Sequence, residues 1–150
     1  MRVKRIGVLT SGGDAPGMNA AVRSVVRCGL SAGFEMYGIY DGFRGLLGEQ
    51  IARFTTRNVC DILSRGGTIL STARCKEFEQ LEYQKKGADI ARKHGLDAIV
   101  VIGGDGSFKG ARALSNQGIL TIGIVTRPFS FEGKVRAKNA EEGITELSKF

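Results

Sequence analysis

The chain has 150 residues, of which 42% are hydrophobic and 25% charged, a balance typical of one globular domain with a real core. Its formal net charge of +7 is scattered rather than gathered into a basic tract, which argues against nucleic acid and favours small anionic molecules as partners. No apolar run is long enough to cross a membrane, and glycines cut the first one short, so we expect a cytoplasmic protein without a signal peptide.

The predicted elements alternate between strand and helix along the chain. Strands are predicted over 5–10, 35–40, 51–56, 97–102 and 119–125, an extended piece over 68–72, and a loop over 41–45. Helices are predicted over 17–32, 58–64, 79–94, 107–116 and 134–149. This order predicts a single α/β domain, a Rossmann-like three-layer sandwich with a doubly wound, mostly parallel sheet and helices on both faces. We expect the last helix to close the sheet.

Cysteine and histidine contribute no predicted chemistry of their own. The three cysteines, Cys28, Cys60 and Cys75, lack metal-ligand or redox spacing, so we expect reduced thiols. The single histidine, His94, follows two basic residues and precedes Gly95. This pattern predicts the end of a helix with a glycine cap.

Two glycine-rich turns each connect a predicted strand to a predicted helix. The first reads TSGGDAPG from residue 10 and the second reads IGGDGS from residue 102. Such turns direct free backbone amides and the positive end of a helix toward one point, which suits a phosphate group. Asp105, in the second turn, is an oxygen ligand suited to Mg²⁺. A nucleotide with its metal is therefore the first hypothesis; the alternatives are plain tight turns, and a turn or helix-cap role for Asp105.

From residue 4 to about residue 117 the sequence resembles the N-terminal part of bacterial ATP-dependent 6-phosphofructokinase. The motifs that carry the resemblance are KRIGVLTSGGDAPGMNAA from residue 4, GIYDG from residue 38, RGGTIL from residue 65, TARC from residue 72 and VIGGDGS from residue 101. They stand in the order and at the spacing of that family. The activity that the resemblance implies is ATP-dependent phosphorylation of fructose 6-phosphate in glycolysis.

The resemblance also implies roles for individual residues. The residues matching the ATP-binding positions of the family are Gly13, Arg74, Cys75, Gly104, Asp105, Gly106 and Ser107. Asp105 would hold Mg²⁺, Arg74 would bridge the phosphates, and Phe43 falls where the family tends to carry an aromatic ring beside the nucleotide.

Two arginines on the first predicted helix match a second site of the family. Arg23 and Arg27 correspond to arginines of an allosteric nucleotide site that the family builds between subunits. A further arginine of that site would fall at Thr56, and Arg57 is shifted by one position. The alternative interpretation of Arg23 and Arg27, which lie one turn apart, is a solvated basic stripe.

The family pattern ends after about residue 118. There a phosphofructokinase strand leads into Gly-Thr-Ile-Asp-Asn-Asp, whose first aspartate is the catalytic base, whereas this chain reads TRPFSFEGKVR from residue 126. Residues 118–150 instead resemble FtsZ, the bacterial tubulin-like cell-division GTPase. That resemblance implies contacts of Glu132 and Arg136 with a guanine nucleotide; a surface ion pair between these two residues is the favoured alternative.

We therefore expect a chimera within one domain, phosphofructokinase-like over 1–117 and FtsZ-like over 118–150. The catalytic base and the sugar-phosphate half are missing, so the favoured hypothesis is Mg-ATP binding with little or no turnover. A functionally silent engineered chimera and an active sugar-phosphate kinase are the alternatives. Loss of a second lobe would also expose apolar surface, through which copies of the chain could associate.

Overall fold

The computed structural model describes residues 3–125 and 128–147, without the side chains of Asp105, Glu146 and Leu147. The strands are β1 (Arg5–Thr10), β2 (Glu35–Ile39), β3 (Ile51–Phe54), β4 (Ala98–Ile102) and β5 (Leu120–Ile124). They form one five-stranded sheet in the order β3-β2-β1-β4-β5. β1 pairs in parallel with both β2 and β4, β4 pairs in parallel with β5, and only β3 runs antiparallel to its neighbour. The mostly parallel sheet predicted from the sequence is confirmed.

Helices connect the strands. They are α1 (Met18–Ser31), α2 (Gly42–Leu47), α3 (Leu81–Lys93), α4 (Asp105–Asn116) and α5 (Lys134–Leu147). Short 3₁₀ turns lie at Thr56–Val59, Lys76–Glu79 and Ser130–Glu132. The end of α3 is as predicted, because His94 follows its last residue and Gly95 adopts a left-handed φ of 67°. None of the described helices is both long and apolar enough to span a bilayer.

The sheet divides the hydrophobic core into two clusters, one on each face. Adjacent residues of one strand point to opposite faces, so Val8 and Val100 join one cluster while Leu9 and Val101 join the other. The first cluster is covered by α1 and the second by α2, α3 and α4. This arrangement confirms helices on both faces of a single α/β domain.

α2 replaces the loop predicted over 41–45. Gly42 and Gly45 favour a loop over a helix in the sequence, but the structure requires glycine at both positions. A Cβ on Gly45 would lie only 1.6 Å from the carbonyl oxygen of Tyr40, and Gly42 has a left-handed φ of 59°. Two other predictions differ from the structure. The helix predicted over 58–64 is reduced to the 3₁₀ turn Thr56–Val59, and the extended piece predicted over 68–72 contains a turn at residues 69 and 70.

The expectation that the last helix closes the sheet is wrong. No described side chain of α5 is buried, and its main neighbour among the described elements is the 3₁₀ turn Ser130–Glu132. On the edge strand β5, Leu120 is 54% and Ile122 46% exposed. The spacing of apolar residues predicted the helix correctly, but spacing alone does not determine which surface a helix covers.

Candidate functional site

The two glycine turns pack directly against each other at the carboxyl ends of β1 and β4. The N–H of Ser11 donates to the carbonyl oxygen of Ile102 at 3.0 Å. A Cβ on Gly103 would lie 2.5 Å from the Ser11 carbonyl oxygen, and one on Gly12 would lie 4.0 Å from the Gly104 nitrogen. The structure therefore brings together the two turns that the sequence singled out.

The glycines of these turns fall into two groups. Gly12 has a left-handed φ of 92°, and a Cβ on Gly103 would collide with neighbouring atoms, so the fold itself requires glycine at both positions. Gly13, Gly104 and Gly106 are exposed, have no left-handed φ, and would place a Cβ within 4 Å of nothing. The fold does not require glycine at these three positions, whereas close approach of a ligand to the backbone would.

The second turn ends at the N-terminus of α4. Its N-cap is Gly104, which supplies no side-chain hydrogen bond to the first amides of the helix. The positive end of this 12-residue helix is therefore not capped by the side chain of its N-cap residue. This arrangement can bind an anion such as a phosphate group.

Ser107 is the buried polar residue between the turns. It is 2% exposed, and its Oγ is the buried side-chain polar atom that lacks a hydrogen-bond partner among the described residues. This oxygen lies within 3.3 Å of the position that a Cβ on Gly12 would take. The first turn of α4 therefore contains an unsatisfied hydroxyl donor. Burying such a group without a partner costs about 1–3 kcal/mol of stability.

A hydrogen-bonded scaffold, which the sequence did not reveal, holds the segment that leads to Arg74. The side-chain amide of Asn19 donates to the carbonyl oxygen of Arg65 at 3.0 Å, and its oxygen accepts from the N–H of Ile69 at 2.8 Å. Thr10 Oγ1 donates to the carbonyl oxygen of Ser71 at 2.9 Å. Asn19 and Thr10 are both buried, so these bonds attach the segment firmly to α1 and β1.

Arg74 and Cys75 line a separate pocket of about 490 Å³ beside α2. The residues around it are Arg44, Leu47, Gly48, Arg74, Cys75, Glu77 and Tyr83. Five of these were not predicted as site residues: Arg44, Leu47, Gly48, Glu77 and Tyr83. The one sequence signal near Arg44 is the motif GIYDG, which ends two residues before it. The helix α2, which places Arg44 at the pocket, was not predicted.

The charges in this pocket are two guanidinium groups and one carboxylate. Burial raises the pKa of the Cys75 thiol, and the Glu77 carboxylate, 3.6 Å from Sγ, raises that pKa further. The backbone N–H of Glu77 and the Cys75 thiol lower the pKa of the Glu77 carboxyl, and the charge of Arg44 adds to this effect. The thiol is therefore neutral and Glu77 ionised near neutral pH.

Phe43 belongs to the core rather than to an open binding surface. Its ring is 5% exposed and stacks on Phe78 with 4.6 Å between ring centroids. A Cβ on Gly110 of α4 would lie 2.5 Å from it. The expectation that Phe43 offers a face to a nucleotide therefore does not match its position.

The predicted metal ligand lies partly outside the described residues. The backbone of Asp105 opens α4, but its side chain is not described, so its role toward Mg²⁺ stays a prediction. Within the described part of the chain, no group of three or more His, Cys, Asp or Glu residues is placed to hold a metal ion. Any Mg²⁺ here would need ligand oxygens from a bound phosphate group.

The remaining predicted site residues lie away from the turns. Arg23 and Arg27 are on α1, the first half-buried and the second exposed. Glu132 and Arg136 form the surface ion pair expected as the favoured alternative, with Oε2 and Nη1 3.2 Å apart. Glu132 also accepts from the N–H of Phe129 at 3.0 Å. The cysteines are free thiols, as predicted.

Comparison with known proteins gives a consistent result for most of the chain. The phosphofructokinase family model matches residues 5–127, and so extends past residue 117, where we placed the end of the resemblance. The ATP-dependent 6-phosphofructokinase of Paenibacillus macquariensis is 59% identical over 124 residues, covering 83% of this chain and 38% of that protein. That of Clostridium tetani is also 59% identical, over 122 residues, with coverage of 81% and 38%.

A solved structure agrees with the sequence matches. The crystal structure of Pichia pastoris phosphofructokinase in the T-state superposes with a TM-score of 0.76 at 38% identity, covering 83% of this chain and 15% of that one. The chain thus spans little more than a third of the length of the curated relatives it matches.

Proposed function

Because this chain belongs to the phosphofructokinase family, we propose that its two glycine turns bind the phosphates of a nucleotide, as Mg-ATP. The observation that carries the proposal is the set of exposed glycines, Gly13, Gly104 and Gly106, at which the fold has no need of glycine. Their backbone amides stay open to a ligand that must approach closely. The printed names of the relatives, ATP-dependent 6-phosphofructokinases, agree with ATP as that ligand.

Mg²⁺ would bind together with the nucleotide. Asp105, at the start of α4, would supply the protein's carboxylate, and the phosphate oxygens would supply further ligands. Arg74 would approach the phosphates from the neighbouring pocket. Its segment is held by the Asn19 and Thr10 hydrogen bonds, which would keep it in place before the nucleotide binds.

We expect little or no phosphofructokinase turnover from this chain. Phosphoryl transfer needs a base for the acceptor hydroxyl, and residues 125–131, directly after β5, include no aspartate. The nearest carboxylate after that strand, Glu132, is engaged by Arg136 and by a backbone N–H. A coupled assay with fructose 6-phosphate tests this expectation, and robust turnover would favour the alternative of an active sugar-phosphate kinase.

Other parts of the proposal rest on sequence resemblance alone. The family match runs to residue 127 and so overlaps the start of the proposed FtsZ-like segment over 118–150. That segment, and with it a chimeric origin, is supported only by the sequence stretches 126–136 and 139–147. An effector site at Arg23 and Arg27 has similar support. The cytoplasm remains the proposed location.

The decisive experiment is calorimetric titration with Mg-ATP of the unmodified chain and of two glycine variants. Gly104→Ala places a methyl group where the structure has open space, so we expect an unchanged melting temperature but a loss of binding of at least about tenfold. Gly143→Ala, on α5, is the matched control and should leave affinity unchanged. Absence of binding by the unmodified chain would refute the proposal and favour a functionally silent protein.

A further inference from the structure

We propose that Arg44 is a second phosphate-binding cation of this site, acting together with Arg74 to recognise a polyphosphate chain. This inference rests on the proposed function and extends it to a residue of α2 that the motifs do not mark. It follows from the position of α2, from the charges of the pocket and from the lack of side-chain partners of Arg44 and Arg74 within the described residues.

α2 connects the pocket to the first glycine turn. A Cβ on Gly42 would lie 2.9 Å from the carbonyl oxygen of Thr10 and 3.5 Å from Cβ of Ser11. The start of α2 thus contacts the end of β1, from which the first glycine turn leads. Arg44 stands two residues further along the helix and lines the pocket.

The backbone around Arg44 is held rigidly on both sides. Phe43 is buried against Phe78. Gly45 packs so closely against the carbonyl oxygen of Tyr40 that there is no room for a side chain at this position. A cation on such a backbone loses less freedom on binding than one on a mobile loop. Arg44 is therefore preorganised at its Cα, and only its side chain needs ordering.

The two guanidinium groups are available to a ligand. Neither Arg44 nor Arg74 forms a hydrogen bond or ion pair through its side chain within the described residues. The positive charge of Arg44 acts to lower the pKa of both Cys75 and Glu77, so its field extends into the pocket. Among the described residues of the lining, Glu77 is the one carboxylate, so these residues keep an excess of one positive charge.

This arrangement suits a polyphosphate better than a single phosphate group. A guanidinium group can donate two parallel hydrogen bonds to phosphate oxygens, and two such groups can contact successive phosphates. Affinity should therefore depend on Arg44 strongly for Mg-ATP and inorganic tripolyphosphate, and weakly for AMP.

The experiment is calorimetric titration with Mg-ATP and, separately, with inorganic tripolyphosphate. We expect Arg44→Gln to weaken binding of both about tenfold and Arg44→Lys to weaken it less. Glu77→Gln should tighten binding, because it removes the negative charge of the lining. Arg53→Gln is the matched control; it removes the same charge from the exposed strand β3, outside the pocket, and should change affinity less than about twofold.

The outcomes separate the two proposals. If the unmodified chain binds Mg-ATP and Arg44→Gln binds it as tightly as Arg53→Gln does, Arg44 has no role and the inference is overturned while the proposed function stands. Equal weakening by Glu77→Gln and Arg44→Gln would also overturn it, because damage to the pocket would then explain the loss. If the unmodified chain binds neither ligand, both proposals fail.

Discussion

At the scale of single residues, the unsatisfied hydroxyl of Ser107 gives a test that separates stability from binding. The hydroxyl has no partner in the described structure, so Ser107→Ala removes a buried polar group without breaking a hydrogen bond. We expect the free energy of unfolding to stay the same or to rise by about 1 kcal/mol. Affinity for Mg-ATP should fall at the same time, because the ligand loses a donor in the first turn of α4.

Urea denaturation and calorimetric titration of the same variant measure the two effects. A marked loss of stability would show that the Ser107 hydroxyl has a structural partner after all. Unchanged affinity would remove Ser107 from the binding site while leaving the glycine turns in it.

At the scale of elements, the sequence predicted regular segments well and packing-dependent segments poorly. β1 and β4 are continuous apolar runs, α1 and α4 carry apolar residues at helical spacing, and all four were predicted within a few residues. α2 was not predicted, because the glycines that break a helix locally are here required by contacts with distant residues. The same contrast holds for the candidate site. The glycine turns could be predicted from local motifs, but the pocket could not, since the unpredicted helix α2 forms one of its walls.

The attachment of β1 to β4 predicts a pH dependence of stability. Asp97 Oδ2 accepts from the backbone N–H groups of Lys4 at 2.7 Å and Arg5 at 2.9 Å. These bonds, first that from Arg5 and then that from Lys4, lower the pKa of the Asp97 carboxyl below the ordinary aspartate value of 3.8. The ionised Asp97 carboxylate therefore makes its full contribution to the free energy of unfolding above pH 3.8. That contribution is lost as the pH falls through the lower pKa that Asp97 has in the folded state.

We expect Asp97→Asn to lower the free energy of unfolding at neutral pH and to approach the unmodified chain in strong acid. Denaturant titration of both proteins across the acid range measures the difference. The carboxyl groups of Glu35, Glu49 and Glu77, whose pKa values are also lowered, titrate in both proteins and cancel in that difference. A difference that does not vary with pH would contradict the assignment.

At the scale of the whole molecule, β5 leaves an apolar edge on the sheet. Leu120 and Ile122 are about half exposed, and the strand carries no charged residue or proline to discourage pairing. We propose that copies of the chain associate through this edge. Ile122→Lys should then shift the protein to a monomer in size-exclusion chromatography with light scattering.

Leu63→Lys is the control for that experiment, because it adds the same charge at a residue that is 61% exposed and lies off the sheet. It should leave the association unchanged. A monomeric unmodified chain at every concentration tested, or equal effects of both lysines, would exclude association through β5.

The pairing of β1 with β4 has a consequence for how the protein reaches its native state. The bond between Lys4 and Asp97 joins residues 93 positions apart, so the centre of the sheet forms only after a long loop has closed. During synthesis on the ribosome, β1 can pair with β4 only after the chain has emerged as far as residue 102. The two glycine turns that we propose to bind the nucleotide follow these strands, one turn after β1 and the other after β4. Ligand capture during refolding should therefore appear with the slowest kinetic phase rather than with early helix formation.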